Sequence, residues 1–373
     1  TRGAEVVAIL AFGLLMALTL PVLSAVWATA AVVAALGLAI WLNLYLFTSQ
    51  MHVLPLAATL LVIFGVYLIN MIIGYFFESR TRTHMNDLFG QYVPPDLVTQ
   101  MALDPTNYSM DSEKRDLSVL FTDIRGFTTI SEKLDADELS DLLNRFLTPM
   151  TQVVHDTRGT IDKYMGDCIM AFWGAPVPNE NHASSAVRAG LGMLSALEKL
   201  NMKLWKEGQP ELAIGVGVNT GTMSVGNMGS RFRRAYTVLG DAVNLGSRLE
   251  GLTKAYGVHF IVSSFTVDEA PDFVYREIDR VRVKGKLLPV IIYEVVGEQG
   301  SVPDEELARL KQWEQCLKLY RTQHWKQAQQ VLKDLHDQDP ERLLYQLYLD
   351  RIDAFLEDPP GPDWDGVFTH KTK

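Results

Sequence analysis

The chain has 373 residues, a formal net charge of −10 and two cysteines. This length predicts two or three domains of roughly 150 residues each, and two cysteines exclude a framework of several disulfides. Up to position 77 the only Asp, Glu, Lys or Arg residues are Arg2 and Glu5, which cancel, so the negative charge belongs to the remainder. An acidic remainder argues against a general nucleic-acid surface, although local cations would still allow one anionic substrate.

Three long apolar runs fill the first 77 residues, at positions 6–24, 27–47 and 53–77. Each is near the ~20 residues that cross a bilayer as a helix. A signal peptide has one shorter apolar core, and a buried globular core carries more charge, so we predict three transmembrane helices at 1–77. Arg80 and Arg82 follow the last run, which predicts a multi-pass protein of the cell (inner) membrane with the remaining chain in the cytoplasm.

Residues 78–110 connect these runs to the next domain. Positions 78–87 are polar and suit a helix that continues out of the membrane, and Pro94 and Pro95 would end any helix there. Asp96 then predicts the cap of a short helix over 97–103. A coupling helix and a plain linker fit this segment equally well.

Strand and helix patterns interleave over residues 111–299, which we predict to be one domain. Cys168 lies in an apolar run there, which favours a buried free thiol. The pattern as a whole predicts an α+β fold in which helices cover one sheet. We predict strands over 117–124, 160–164, 168–173, 212–219, 223–226, 259–263, 274–284 and 290–296, and helices over 137–155, 183–200 and 242–254.

Two turns in this domain carry candidate metal ligands. Gly126 allows a tight turn after the first strand, and the amides that follow it can bind an anion. Asp123 stands beside that turn, where a carboxylate would repel a phosphate unless a cation such as Mg²⁺ or Mn²⁺ lay between them. Asp167 lies in a second turn, although Gly-Asp also suits a hairpin for backbone reasons alone. Two carboxylates brought together by the sheet would suit a two-metal phosphoryl site.

Further candidates are polar residues on a helix and at a strand end. Asn244 and Arg248 are four residues apart on a predicted helix and therefore share one face. Lys284 lies in a Lys-Gly-Lys run at the end of a predicted strand. Each of these signals is also typical of a solvated surface.

Four segments, in their order along the chain, resemble the class III adenylate and guanylate cyclases. The resemblance implies a ferredoxin-like core within the α+β domain. It also implies conversion of ATP to 3′,5′-cyclic AMP and pyrophosphate with two Mg²⁺ or Mn²⁺ ions per active site. The segments are Phe-Thr-Asp-Ile-Arg-Gly-Phe-Thr at 121–128, Asp-Lys-Tyr-Met-Gly-Asp at 162–167, Gly-Asp-Ala-Val-Asn-Leu-Gly-Ser-Arg at 240–248 and Val-Lys-Gly-Lys at 283–286.

The resemblance implies a first set of residue roles, at the metals and phosphates. Asp123 and Asp167 would bind both metals with help from the carbonyl of Ile124. The amides of Phe127 and Thr128 would hold phosphates, and the positive charge at position 284 would meet the leaving pyrophosphate.

A second set of implied roles concerns the sugar and the transition state. Asn244 would orient the ribose, and Arg248 would stabilise charge on the α-phosphate. Guanidinium suits this role because it stays charged and presents forked donors.

Lys163 and Thr237 would recognise the base. Lys163 can donate to adenine N1, and the Thr237 hydroxyl can accept from N6 but can also donate. In the family, guanylate cyclases have Glu and Cys at these two positions, whereas many adenylate cyclases have Lys and Asp. The pair therefore favours ATP, and a guanylate cyclase remains the alternative.

In this family each site lies between two catalytic units, one supplying the two Asp residues and the other the base, ribose and transition-state residues. All of these residues occur in this chain, so the resemblance implies a homodimer with two sites. Loss of a metal Asp or of Arg248 would indicate a catalytically silent nucleotide-binding receptor, and neither is lost. The apolar runs followed by Tyr-Val-Pro-Pro also look like receptor cyclases with an extracellular CHASE-type sensor, which would precede Thr1 and is expected to be absent from this chain.

Residues 300–373 are predicted to form a helical C-terminal extension, with helices over 304–319, 325–336 and 342–356. The spacing of Tyr320, Trp325 and Ala328 resembles a single tetratricopeptide-like hairpin. One such repeat buries little core alone. We therefore expect this tail to pack on the catalytic domain or on a partner chain, and to stabilise it.

Overall fold

The computed structural model describes residues 2–23, 25–50, 56–90, 92–103, 111–282, 289–361 and 363–367. The chain divides into two compact units, Thr1–Asp87 and Leu88–Lys373. Each unit is described by itself below.

Three helices form the first unit: α1 (Arg2–Thr19), α2 (Ala25–Gln50) and α3 (Leu56–Phe89), the last of which runs past the end of the unit. Within the described residues, Val26–Ser49 and Leu56–Ile73 are long and apolar enough to cross a membrane, whereas the apolar stretch Ile9–Val22 is shorter. The structure thus contains two helices of spanning length in a region where the sequence predicts three spans.

Many large apolar side chains of the first unit are exposed. Large apolar residues point outward, with Leu14 64%, Trp27 69% and Leu61 70% exposed. A small number of buried apolar residues, both large and small, form the core of this unit. These are Met16, Leu20, Ala28, Val32, Ala35, Ala39 and Ile63.

The second unit is built on an eight-stranded sheet of the described residues, in the order β2-β3-β1-β4-β6-β8-β7 with β5 paired to β4. All neighbours are antiparallel except β4 and β6. The strands are β1 (Glu113–Ile124), β2 (Thr160–Met165), β3 (Cys168–Trp173), β4 (Ile214–Gly229), β5 (Arg234–Leu239), β6 (Phe260–Ser263), β7 (Phe273–Val281) and β8 (Val290–Glu298).

Helices cover both faces of this sheet. The order β1, α6, β2, β3, α7, β4 gives a β-α-β-β-α-β unit with neighbouring strands β2-β3-β1-β4, which is the ferredoxin-like arrangement. The predicted α+β domain is therefore confirmed. The helices that precede or cover the sheet are α4 (Pro95–Leu103), α5 (Phe127–Ser131), α6 (Ala136–Asp156), α7 (His182–Lys206), α8 (Asp241–Tyr256) and α9 (Ser264–Glu269).

Helix α8 lies close to the sheet because glycines stand at the contact on both sides. A Cβ on Gly217 of β4 would collide with the backbone N of Glu250. A Cβ on Gly246 of α8 would lie 2.9 Å from a methyl of Val119 in β1. This close approach fixes which face of α8 meets the sheet and which faces away.

The C-terminal tail forms helices α10 (Asp304–Arg321), α11 (Trp325–Gln338) and α12 (Leu343–Glu357). Their apolar faces share one core with α8 and with β6, β7 and β8, in which Trp313 and Tyr348 are completely buried. Trp313 Nε1 donates to the carbonyl of Glu277 at 2.6 Å, and Tyr348 donates to the carbonyl of Ile278 at 2.7 Å. The tail therefore packs on the sheet of its own chain, which is one of the two expected arrangements.

Two strand predictions differ from the structure. The sequence predicts two strands around a turn at 220–222, but β4 is continuous there because β1 pairs with it from Glu113↔Val225 to Ile124↔Ile214. Uninterrupted backbone pairing thus overrides the local turn signal of Thr-Gly-Thr. Strand β5 was not predicted, and it is held by pairing with the distal half of β4.

Smaller corrections concern a helix start, a thiol and a strand end. Helix α4 begins at Pro95, one residue before the predicted cap at Asp96, because proline suits the first helical position. Cys168 is free but only partly buried, since it opens β3 beside an exposed turn, whereas Cys316 is buried. The predicted end of the strand at 284 lies outside the described residues.

Candidate active site

Asp123 and Asp167 meet at one edge of the sheet, the edge formed by the ends of its strands. Asp123 is the penultimate residue of β1, and Asp167 lies in the turn between β2 and β3, the latter pairing with β1. The backbone N–H of Ile124 donates to Asp167 Oδ2 at 3.1 Å. Antiparallel pairing of β1 with β3 therefore joins two carboxylates that are far apart in sequence.

Like charge is concentrated at this edge. Burial, followed by the hydrogen bond and charge of Asp167, raises the pKa of Asp123 to about 6. Glu250, on the sheet-facing side of α8, has its pKa raised to about 7 by burial and then by the charge of Asp123, against the opposing effect of Arg125. A divalent cation would relieve this accumulation of negative charge.

The donor set suits a metal whose coordination is completed by substrate. Within the described ranges no group of three or more His, Cys, Asp and Glu side chains is arranged to hold an ion. Mg²⁺ is usually bound through one or two carboxylates together with substrate phosphates and water. Asp123 and Asp167 therefore fit such an ion.

The turn at Gly126 leads directly into the short helix α5. Gly126 adopts a φ of 69°, which favours glycine. The preceding amide, Arg125 N, is already occupied by the carbonyl of Ala213 at 2.7 Å. Phe127 and Thr128 open α5, so their N–H groups lie in the first turn, where a helix offers no internal acceptor.

Lys163 and Thr237, 74 residues apart, are brought together by β2 and β5. Lys163 Nζ lies 3.5 Å from Thr237 Oγ1. Behind them Asp162 is buried, accepts from Thr237 Oγ1 at 2.5 Å and from Val238 N at 3.3 Å, and has Lys163 Nζ 3.0 Å from its second oxygen. The pair is therefore preassembled within one chain.

Asn244 and Arg248 lie on the opposite side of α8 from the sheet. Both are exposed, and both are two residues from Gly246, which faces β1. At about 100° per residue they point roughly 200° away from the sheet-facing direction. No hydrogen bond or ion pair between described residues links either of them to Asp123 or Asp167. Lys284 lies outside the described residues.

Two residues beside the site carried no predicted role. The family resemblance includes Asp162 in the segment 162–167 but gives it no role, although a carboxylate next to an apolar residue in a predicted strand is itself a signal. Glu250 follows Gly246 by one helical turn and therefore shares its sheet-facing side. That spacing could have identified it only if the contact between Gly246 and β1 had been known.

Comparison with known proteins identifies the family of the second unit. The profile of the adenylate and guanylate cyclase catalytic domain matches residues 110–297, about half of the chain. The chain belongs to this family of nucleotidyl cyclases.

Individual relatives agree with the family. Adenylate cyclase 1 of Rhizobium meliloti is 36% identical over 219 residues, which cover 58% of this chain and 33% of that protein. The adenylate cyclase of Anabaena cylindrica is 36% identical over 220 residues, covering 56% and 43%. The chain thus spans less than half the length of these curated relatives. The crystal structure of the adenylyl cyclase CyaB from P. aeruginosa is 37% identical, with a TM-score of 0.48 over 52% of this chain and 100% of that one.

Proposed function

We propose that this protein is an adenylate cyclase that converts ATP to 3′,5′-cyclic AMP and pyrophosphate. The observation that carries the proposal is the convergence of Asp123 and Asp167 beside the Gly126 turn, on the sheet of a cyclase-family domain. The relatives named adenylate cyclases support the same assignment.

Asp123 and Asp167, with the carbonyl of Ile124, would hold two Mg²⁺ or Mn²⁺ ions. When bound, such ions would make the ribose 3′-hydroxyl more acidic and neutralise charge on the phosphates. The amides of Phe127 and Thr128 would bind phosphate oxygens directly, and Lys284 would add a positive charge near the leaving pyrophosphate. In this way the 3′-oxygen would be held in line with the α-phosphorus, which is most of what phosphoryl transfer requires of a protein.

Asn244 and Arg248 would act on a nucleotide held by the metal ligands of the partner subunit. This is supported by their exposure on the side of α8 that faces away from β1 of their own chain. Arg248 would stabilise charge on the α-phosphate in the transition state, and Asn244 would orient the ribose. The functional unit would therefore be a symmetric homodimer with two sites.

Base recognition would fall to Lys163 and Thr237. The ammonium of Lys163 would donate to adenine N1, and the Thr237 hydroxyl would accept from N6. A guanylate cyclase is the second candidate, since the family includes both activities. Lys163 disfavours it because guanine carries a hydrogen, and thus a donor, at N1.

We further propose that residues 1–77 anchor the enzyme in the inner membrane and place the catalytic domain, 111–299, in the cytoplasm. The two helices of spanning length and the outward-facing large apolar side chains support this anchor. The shorter stretch Ile9–Val22 would form a third span. A sensor upstream of Thr1 would then act on the catalytic domain through these helices and residues 78–110.

A product assay tests the enzymatic proposal. The full chain in detergent or vesicles is given ATP and GTP in parallel, with Mg²⁺, with Mn²⁺ and with a chelator, and the products are separated by chromatography. We expect cyclic AMP from ATP with either metal and none with the chelator. Cyclic GMP as the main product would favour a guanylate cyclase, and no product from either nucleotide would favour a silent receptor.

A further inference from the structure

We propose that Asp162 is the positioning residue that sets the choice of purine, by fixing the Thr237 hydroxyl as a hydrogen-bond acceptor. A threonine hydroxyl can donate or accept, so Lys163 and Thr237 alone leave the polarity of the pocket open. The inference rests on the proposed function, because it concerns the base of the same nucleotide.

The geometry commits the hydroxyl proton to Asp162. The Asp162 side chain has no exposed surface, and its Oδ2 lies 2.5 Å from Thr237 Oγ1. That separation falls in the range of a hydroxyl donating to a charged carboxylate. An ionised carboxylate can only accept, and Lys163 Nζ at 3.0 Å supplies the compensating charge. The Thr237 proton therefore points inward, and its oxygen lone pairs are left for the pocket.

A bulge in β2 makes this arrangement possible. Neighbouring residues of a regular strand point to opposite faces of the sheet. The register of β2 against β3 shifts between Ile161 and Lys163, so the buried Asp162 and the 44%-exposed side chain of Lys163 both reach Thr237. Such a bulge re-aims a side chain, here toward the residue that meets the base.

The fixed polarity selects a 6-aminopurine. Because the Thr237 hydroxyl donates its hydrogen bond to Asp162, its oxygen can only accept from the base. Lys163 keeps a donor for the ring nitrogen. Adenine offers the complement, a donor at N6 and an acceptor at N1. Guanine offers the reverse at both places, an acceptor at O6 and a donor at N1, and would leave buried polar groups unpaired. Asp162 thus gives threonine the hydrogen-bonding character that an aspartate would have at position 237.

Asp162→Asn tests this assignment with almost no change of shape. The neutral amide is a weaker acceptor for the Thr237 proton, and with its NH2 turned toward Thr237 it donates to Oγ1 instead, so in either orientation the hydroxyl becomes freer to donate into the pocket. The full chain is assayed for kcat/KM with ATP, with GTP, and with purine riboside triphosphate, which lacks the 6-amino group. We expect the ATP/GTP ratio to fall at least about tenfold in the variant, and the preference for ATP over the 6-unsubstituted analogue to shrink.

The matched control is Asp116→Asn. Asp116 Oδ1 accepts from Thr222 Oγ1 at 2.6 Å, the same carboxylate–threonine bond between β1 and β4 and away from the base. We expect its ATP/GTP ratio to equal that of the wild type. A general loss of activity lowers kcat/KM for all three nucleotides together and leaves the ratio unchanged, so the ratio separates positioning from folding.

Two further measurements keep the inference open to refutation. Competition of ATP and GTP for a bound fluorescent ATP analogue gives the ATP/GTP preference in binding, without turnover. A wild-type chain that binds ATP but makes no product would therefore contradict the proposed function and leave the role of Asp162 testable. If Asp162→Asn does not fold, Thr237→Ser should keep the 6-amino preference and Thr237→Val should lose it. A wild-type ATP/GTP ratio in Asp162→Asn, or an unchanged 6-amino preference in Thr237→Val, would overturn the role of Asp162.

Discussion

Two clusters of charged side chains in the second unit, both at least partly buried, differ in their balance of acids and bases. At the edge of the sheet Asp123, Asp167 and Glu250 gather negative charge, and burial and neighbours raise the pKa of Asp123 to about 6 and that of Glu250 to about 7. Beneath the C-terminal tail, buried Arg276 is instead paired with both Glu294 and Glu306. The first cluster has three acids opposed mainly by the charge of Arg125, whereas in the second each acid is paired with an arginine.

The balanced cluster joins the tail to the sheet. Glu294 lies on β8, Glu306 on α10, and Arg342 immediately precedes α12, with its Nη1 3.2 Å from Glu294. A second buried pair, Arg351 with Asp279 at 2.7 Å, links α12 to β7. Position in the fold thus pairs one set of acids with arginines and leaves the other set with excess negative charge.

The largest expected effect comes from breaking the unbalanced cluster. Asp123→Ala should reduce cyclic AMP formation with Mn²⁺ below detection because a metal ligand is lost, while Tm without metal should not fall because like charge is removed. Arg248→Ala should be equally inactive. Equal amounts of the two chains should recover about one quarter of wild-type activity, because random pairing makes half of the dimers mixed and each keeps one site.

The control for this mixing experiment is Lys254→Ala, which removes another exposed cation from α8. This variant should be active alone. Retained turnover in Asp123→Ala would contradict its role as a metal ligand. No recovery in the mixture, when size-exclusion chromatography shows mixed dimers, would contradict the shared site.

An intermediate effect is expected from breaking the balanced pairs. Arg351→Met leaves the buried Asp279 without its ion-pair partner, with only the hydrogen bonds from Tyr256 and Arg280 N remaining among the described residues, and should lower the free energy of unfolding by about 3 kcal/mol. Arg188→Met removes an exposed pair with Glu298 and should cost about 1 kcal/mol or less. Thermal and denaturant unfolding of the full chain in detergent measures both, and equal effects would show that burial of the tail pair contributes little.

The smallest effect is a pH dependence of stability. Burial alone would raise the pKa of Glu306, but hydrogen bonding to Arg309 and the charges of Arg276 and Arg342 hold it below its usual 4.5. A lowered folded-state pKa contributes stability above about pH 4.5, and that contribution is lost as the pH falls through the folded value. The stability difference between wild type and Glu306→Gln should therefore shrink below pH 4.5, and a constant difference would contradict the assignment.

Much of the fold could be predicted from local pattern. The period of apolar residues located α6, α7, α8 and the tail helices to within a few residues at most ends, and it located β2 and β3 closely. It failed at β4, where pairing with β1 continues through Thr-Gly-Thr, and at β5, a short strand that is held by its hairpin pairing with the second half of β4. Both errors arise because strand pairing adds free energy that no single segment contains.

The candidate site likewise contains residues that the sequence could identify and residues that only the structure could. Ordered segments in the sequence identified Asp123, Asp167 and Lys163 as candidates, and the family resemblance added Thr237. Helical spacing put Asn244 and Arg248 on one face. The metal, phosphate, ribose and base roles of these residues stay predictions until the assays above are made. Asp162 and Glu250 could not be assigned in this way, because their significance lies in the atoms they meet.

The sequence by itself determined the apolar N-terminal segment, the alternation of strands and helices in the middle and the family, since each depends on residue type and order. The tertiary structure decided the convergence of Asp123 with Asp167, the outward direction of Arg248 and the inward direction of the Thr237 proton. The physical reason is that charge, burial and hydrogen-bond polarity depend on which strands become neighbours. Register, and in β2 a single bulge, settles that arrangement.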